Sequence, residues 1–293
     1  MMILIWHSLR NAGLIMDLKK GGVHWAADVA TLVLLTTTTM QVIALALAKD
    51  DPERLFECCS VLSFCGMGVI KLYSLRRDGE QWRVLLNATA KLEVEELSEE
   101  QNSPIVEYES DDEDDFSVVT YIERYTRSFK STHALLRRIY SFTAIVFMMS
   151  PFIEYCLWQY KGQEVAGYPH ILPLWAPLDE ISVFGYIFTV SLETISATYC
   201  VCVHVAFDLS TVGLMMFVHG QFSLLHARSE RIGGSGESCV LSKARELRAR
   251  LRIRNCHRVH VALTEVQLAW AEDLKALNGG VSVRASGKSC YCS

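Results

Sequence analysis

Four long apolar stretches set the pattern of this chain, and each is almost free of charged residues. Crossing the roughly 30 Å hydrocarbon core of a bilayer takes about 20 residues of helix, and every stretch reaches that length. A helix on the surface of a soluble protein would show a polar stripe, which these stretches lack, so the pattern favours an all-α membrane protein over a soluble helical core. We assign the spans to residues 29–48, 55–75, 139–160 and 181–207.

The basic residues predict the orientation of these spans. Of the 28 Lys and Arg residues, 24 lie on one side if the N-terminus is cytoplasmic. Lys71 lies within the second span, and only Lys49, Arg54 and Lys161 lie outside. Because Lys and Arg near a span favour the cytoplasmic side, we expect both ends of the chain inside. The remaining segments are then a cytoplasmic N-terminal segment (1–28), two outer loops (49–54 and 161–180), a cytoplasmic loop with an acidic tract (76–138), a cytoplasmic helical extension (208–266) and a divergent tail (267–293).

The charged and metal-ligating residues do not indicate an enzyme, a metal site or a nucleic-acid-binding surface. The acidic tract at 107–115 lacks the spaced ligands and glycine of a calcium loop. Residues 243–258 carry seven basic residues without interleaved aromatics, which favours a membrane-proximal helix over RNA or DNA binding. His257 and His260 have no third ligand nearby in the sequence. We therefore predict no cofactor and no metal site, and no catalytic set of residues is visible on one face.

One glycosylation motif tests the orientation. Asn87-Ala88-Thr89 is an acceptor sequence that lies on the predicted cytoplasmic side. We expect it to carry no glycan.

Three short patterns, taken in order against the spans, point to a family. A Pro/Trp-rich stretch, LPLWAPLD at 172–179, precedes the fourth span; Asp208 ends that span and is followed by Gln221-Phe222 and Leu225; and CHRVH at 256–260 enters the next helical stretch. Over about residues 9–266 the chain resembles the insect odorant receptor family, the seven-transmembrane olfactory receptors, and in particular their tuning subunits.

The resemblance implies a fold, a function and partners. It implies a helical bundle of a seven-helix family fold in the plasma membrane, with a cytoplasmic N-terminus. It also implies a subunit that recognises small volatile, mostly apolar ligands and contributes to an odorant-gated cation channel with a shared coreceptor. In that family the final helix lines the pore.

The end of the sequence departs from the family pattern. Residues 267–293 contain several charges and Gly279-Gly280, so no fifth span follows. The chain is therefore read as truncated after the fourth span and lacking the pore-lining helix, and we expect this form alone not to conduct ions. An insect gustatory receptor-like protein and a membrane transporter fragment remain alternatives.

A receptor for a small apolar molecule needs a dry cavity with few polar groups, and the outer halves of spans two, three and four offer residues for one. Each set of residues is also of the kind that packs between membrane helices. Glu154 and Glu193 are further functional candidates, because carboxylates within a membrane are costly. The predicted ligand-binding residues are Cys59, Leu62 and Ser63 on span two, Met148, Phe152 and Tyr155 on span three, and Phe184, Phe188 and Ser191 on span four.

Overall fold

The computed structural model of the chain is mainly helical over the residues that it describes, which are 5, 9, 25–77, 79–102, 118–162, 168–175, 182–230, 232 and 243–278. Six helices are described in full and no strand occurs in these ranges, so the all-α prediction is confirmed. The acidic tract at 107–115 lies outside the described residues. The helices are α1 (Trp25–Leu47), α2 (Pro52–Arg77), α3 (Gly79–Asn102), α4 (Val118–Tyr160), α5 (Val183–Glu230) and α6 (Lys243–Asn278).

Four of these helices, α1, α2, α4 and α5, are long and apolar enough to cross a membrane. With 43 and 48 residues, α4 and α5 are about 65 and 72 Å long at 1.5 Å per residue. Both lengths exceed twice the thickness of a hydrocarbon core, so each helix continues well beyond its span. We call the end of the bundle that carries the α1–α2 connection the outer end, following the predicted orientation.

The chain divides into two compact units. The first contains residues 1–83 and 119–217, and the second contains residues 84–118 and 218–293. In the first unit α5 is the central helix, because 44% of its apolar window is buried, whereas no residue in the apolar window of α4 is buried. In the second unit Val259 and Leu263 of α6 are buried, and the ring of Phe222 lies 6.4 Å from that of His260, edge to face.

A short connection makes α1 and α2 antiparallel neighbours. The Oδ1 atom of Asp51 accepts hydrogen bonds from the backbone N–H groups of Glu53 and Arg54, which caps α2 directly before Pro52. An aspartate cap followed by proline at the first helical position is a strong helix start. Ala44, Ala48 and Cys58 form a small buried cluster beneath the connection.

At the inner end of the first unit, α4 packs against α5 beyond the apolar spans. Tyr125 lies edge-on to Phe217 with ring centroids 6.3 Å apart, and Phe129 is fully buried beside Gly213. Tyr125 and Phe129 are one turn apart, so they share a face of α4. This contact packs the inner part of α4 against α5.

The second outer loop is bounded by a clear helix stop and start. Gly162 has a φ of 68°, a left-handed conformation that suits glycine after the last turn of a helix. The Oγ atom of Ser182 accepts a hydrogen bond from the Gly185 N–H at 3.1 Å and caps α5. The described part of the loop, 168–175, lies between these two boundaries.

Candidate ligand site and intramembrane polar contacts

One contact joins α4 and α5 at the lower edge of the predicted ligand site. The Thr198 Oγ1 atom donates a hydrogen bond to the Met148 Sδ atom at 4.0 Å. From this contact the two helices run to the outer end in opposite chain directions. On α4 the stripe continues through Phe152 and Tyr155, which, like Met148, are half-buried.

The matching stripe on α5 is more exposed. Ser191, Phe188 and Phe184 lie 7, 10 and 14 residues before Thr198, so they follow one face of the helix toward the outer end. Phe188 and Phe184 are 55% and 86% exposed, and the Ser191 hydroxyl donates to the Ile187 carbonyl at 2.7 Å. The Met148–Thr198 contact joins the lower ends of the two stripes, and we call the strip between them the α4–α5 seam.

The α2 candidates lie on a different side. Cys59 and Ser63 are exposed, Leu62 is half-buried, and the Ser63 hydroxyl donates to the Cys59 carbonyl at 2.7 Å. Gly68 contacts α5 and is nine residues from Cys59. At 100° per residue, these two residues lie on opposite sides of α2. The structure thus turns Cys59 and Ser63 away from α5.

A shallow groove of about 570 Å³ follows the other side of α4, and its lining residues come from that helix and from Lys161 directly after it. It includes Ile153 and Leu157, which lie on the side of α4 away from Met148, and also Glu154 and Lys161. The helix contains Pro151 at this level. Because proline has no backbone N–H, the usual bond to the Phe147 carbonyl is missing there.

Glu193 meets the outer loop inside the bundle. Its side chain is fully buried, and its Oε2 atom accepts hydrogen bonds from the N–H groups of Ile171 at 2.7 Å and Leu172 at 3.4 Å. The Oε1 atom lies 2.9 Å from the His170 Nδ1 atom. Glu154, by contrast, is an exposed carboxylate on α4. Of the two carboxylates singled out in the sequence, Glu193 is the one that joins separate parts of the fold.

A second polar cluster joins three helices near the inner end. The Asp208 carboxylate accepts hydrogen bonds from the Lys71 Nζ atom at 2.6 Å and from the Tyr140 hydroxyl at 2.5 Å. Lys71 also lies 5.3 Å from the centre of the Phe207 ring. An ion pair with a further donor satisfies more of the oxygen lone pairs than an isolated pair would, which lowers the cost of keeping charge in the membrane.

His204 extends this cluster to the backbone of α2. Its Nε2 atom is 3.2 Å from the Phe64 carbonyl oxygen and its Nδ1 atom is 3.1 Å from the Lys71 Nζ atom. A carbonyl oxygen only accepts, so Nε2 carries the hydrogen, and Nδ1 then accepts from the lysine. The ring also stacks on Phe64 with centroids 4.4 Å apart. His204 is therefore held as the neutral Nε2–H tautomer.

Smaller polar contacts fasten α1 to α5. The hydroxyl oxygens of Thr37 and Ser196 are 2.5 Å apart, and those of Thr31 and Tyr199 are 3.2 Å apart. Short hydroxyl side chains allow membrane helices to approach closely and bond across the interface. These two contacts define the antiparallel register of α1 and α5.

The sequence pattern alone assigns no role to Lys71, Tyr140 or His204. A signal for one of them was present, because Lys71 is the only lysine in residues 55–75 and an intramembrane lysine needs an anionic partner. Asp208 was noted only as part of a family pattern. Its pairing with Lys71 and Tyr140 required the three-dimensional arrangement of α2, α4 and α5.

Comparisons with known proteins agree with this arrangement. The family model described as 7tm Odorant receptor matches residues 51–267, which is more than half of the chain. The chain belongs to the 7tm Odorant receptor family. The resemblance drawn from the sequence is thereby confirmed.

A solved structure shows where this odorant receptor chain fits in the family fold. The insect olfactory receptor OR5 from Machilis hrabei, in complex with eugenol, superposes with a TM-score of 0.63 at 11% sequence identity. The match covers 94% of this chain but 65% of OR5, so the chain spans slightly less than two thirds of that receptor. The four membrane-crossing helices thus have the receptor fold. No curated protein matches the chain.

Proposed function

We propose that this odorant receptor chain is a tuning subunit that binds small volatile, mostly apolar molecules along the outer α4–α5 seam. The observation that carries the proposal is the Met148–Thr198 contact, from which two stripes of aromatic and small polar side chains run outward on adjacent helices. Apolar walls with a few hydroxyl groups are typical of sites for small neutral ligands. Phe152 and Phe188 would contact the apolar body of the ligand, and Tyr155 or Ser191 would bond to its polar group.

The same proposal includes partners and location. The subunit works in the plasma membrane with a shared coreceptor, and together they form an odorant-gated cation channel. A ligand can open such a channel only to the extent that it binds the open state better than the closed state. The seam therefore has to change shape between the two states.

Binding of eugenol, the ligand named with the related receptor, provides the direct test. The full 293-residue chain in lipid nanodiscs should bind eugenol in a calorimetric titration. Phe152→Ala should weaken binding about tenfold, because an aromatic contact with the ligand is lost. Phe142→Ala, at a 71% exposed position in the inner half of the same span, is the matched control and should leave the affinity unchanged.

Co-expression tests the channel part separately. Cells that express this chain with a coreceptor should give eugenol-evoked cation currents, and cells that express this chain alone should give none. Binding by the purified chain without current in either cell would remove the channel role and retain the binding role. Absence of binding to eugenol and to a panel of apolar volatiles would contradict the proposed function.

A further inference from the structure

The groove on the far side of α4, here called the α4 groove, lies between two ridges of side chains. One ridge consists of every fourth residue from Ile145 to Lys161, and the other of every fourth residue from Val146 to Trp158. Side chains four residues apart stand one above the other on a helix, so two such ridges leave a groove between them. From 145 to 161 the groove is about 24 Å long at 1.5 Å per residue. One leaflet takes about 15 Å, half of the hydrocarbon core, so the groove has room for a lipid chain and its polar group.

The lower part of the α4 groove is an apolar surface that faces out of the bundle. Ile145, Met149 and Ile153 are all exposed, and no residue in the apolar window of α4 is buried. Lipid chains are as apolar as these side chains, so a lipid chain can cover them at no cost in free energy.

The outer part of the groove carries two opposite charges. Glu154 and Lys161 are both exposed, and among the described residues neither side chain has a hydrogen-bond or ion-pair partner. The Lys161 N–H group donates to the Leu157 carbonyl at 3.1 Å, so the helical turn continues to this residue. Seven residues make nearly two full turns, which places both charges on one side of α4 with Lys161 about 10 Å nearer the outer end.

The depth of Glu154 makes its lack of a partner costly. It lies six residues before the end of α4 at Tyr160, about 9 Å below that end. Trp158, one turn above it, is of the residue type that is enriched where lipid meets water. A carboxylate below that boundary needs a hydrogen-bond donor. An occupant that fits the groove therefore has an apolar chain, a donor at the level of Glu154 and a negative charge further out, at Lys161.

This order of groups selects one class of membrane lipid. All phospholipids carry a phosphate above their chains. In a glycerophospholipid the groups that link the chains to the phosphate are esters, which only accept hydrogen bonds. In a sphingoid phospholipid an amide N–H and a hydroxyl occupy that level, and both can donate.

We propose that the α4 groove binds a sphingoid phospholipid of the outer leaflet. Its amide N–H or hydroxyl donates to the Glu154 carboxylate, its phosphate pairs with the Lys161 ammonium, and one chain lies between the two ridges. The long apolar stem of Lys161 lets the ammonium group reach a phosphate above or below its own backbone. The site is separate from the α4–α5 seam and does not depend on the proposed function.

Two lipids with the same headgroup test the assignment. Sphingomyelin and phosphatidylcholine both carry phosphocholine and differ in the groups that link it to the chains. In native mass spectrometry of the full chain in detergent, we expect sphingomyelin to bind about tenfold more tightly, because only it donates to a charged acceptor. Glu154→Leu should bind the two lipids equally. Glu154→Gln keeps an acceptor oxygen without the charge and should retain a preference of about threefold.

Two control variants separate the donor from the phosphate and from a general effect of charge. Lys161→Gln should weaken both lipids to the same extent and leave their ratio unchanged, because the phosphate is common to them. Glu57→Leu removes an exposed carboxylate five residues into α2, outside the groove, and should change neither affinity. All of these side chains are exposed, so the thermal unfolding midpoints of the variants should equal that of the wild type.

Three results would overturn the proposal. The first is equal affinity of the wild type for sphingomyelin and phosphatidylcholine. The second is a preference for sphingomyelin that survives in Glu154→Leu. The third is a dimer in the same mass spectra that Glu154→Leu dissociates, since the groove would then be occupied by a second copy of the chain.

Discussion

A methyl group added to Gly68 on α2 would lie 2.5 Å from the Cys200 Sγ atom on α5. It would also lie 3.3 Å from the His204 Nε2 atom. Cys200 is fully buried and has a single rotatable side-chain bond, so it has little room to move. We expect Gly68→Ala to lower the stability by about 1–3 kcal/mol through overpacking. The midpoint of thermal unfolding in one fixed detergent measures the change.

A neighbouring glycine supplies the control for this prediction. Nothing lies within 4 Å of a methyl group at Gly66 on the same helix, so Gly66→Ala should leave the midpoint unchanged or raise it. Shortening the opposing side chain in a Gly68→Ala/Cys200→Ala double variant should recover part of the loss. Equal effects of the two alanines at 66 and 68 would show that close packing of α2 on α5 is not the cause.

The membrane-crossing helices could be predicted because their signal is local. An uninterrupted apolar run of about 20 residues is visible in the sequence, and lipid makes helix the favoured backbone for it. The inner extension of α4 is less apparent, because Tyr125 and Phe129 are spaced among polar residues. Their burial depends on how the two helices face each other.

The partners of intramembrane charges could not be predicted from the sequence. Glu193 stood out because a carboxylate is costly in a membrane, yet its partners lie 21 to 23 residues earlier in a loop. Lys71 and Asp208 are 137 residues apart. Finding such pairs requires the rotation and depth of each helix, which side-chain packing decides and local sequence does not.

The hydroxyl of Tyr140 gives the second prediction. It donates to Asp208, so Tyr140→Phe should lower the stability by about 1.5 kcal/mol, as expected for loss of a hydrogen bond to a charged group. Tyr73→Phe is the control. That side chain is 60% exposed, and its hydroxyl oxygen accepts a hydrogen bond from Arg77 on the same helix. The unfolding midpoint of Tyr73→Phe should therefore equal that of the wild type within experimental error. A comparable fall in both variants would contradict a special role for the Asp208 contact.

A double-mutant cycle tests the ion pair itself and gives the third prediction. Lys71→Met and Asp208→Asn should each destabilise the protein, because each leaves the other charge without its counter-ion. The double variant should lose less free energy of unfolding than the sum of the two single losses, with a coupling energy of about 1–3 kcal/mol. Arg76 and Asp28, paired at 3.0 Å but 36% and 61% exposed, form the control cycle and should couple by less than about 1 kcal/mol. Strict additivity at Lys71 and Asp208 would rule out the pair as a stabilising contact.

The acceptor sequence at Asn87 provides the fourth prediction. Thr89 is fully buried, and its hydroxyl donates to the Leu85 and Leu86 carbonyls within α3. The threonine that a glycosyltransferase must reach is thus folded into a helix, on the predicted cytoplasmic side. Treatment of the protein expressed in insect cells with a glycosidase should not change its gel mobility, and neither should Asn87→Gln.

An engineered acceptor controls for this result. Lys161→Asn combined with Gln163→Thr creates an acceptor sequence in the second outer loop, and we expect a mobility shift that the glycosidase removes. A glycan on Asn87 would reverse the predicted orientation of all four spans. In that case we would also expect no glycan on the asparagine introduced at position 161.

Bulky substitutions test whether the ligand binds in the α4–α5 seam or in the groove on the far side of α4. Ser191 lies on the α5 stripe of the proposed seam, whereas Ile153 lines the groove on the far side of α4 and is 54% exposed. Ser191→Phe should fill the seam and weaken eugenol binding more than about tenfold, since close-packed sites tolerate little added volume. Ile153→Phe adds a larger apolar side chain at the groove and should leave binding unchanged. Calorimetric titration of both variants decides between the sites, because loss of binding with Ile153→Phe alone would move the ligand from the seam to the groove.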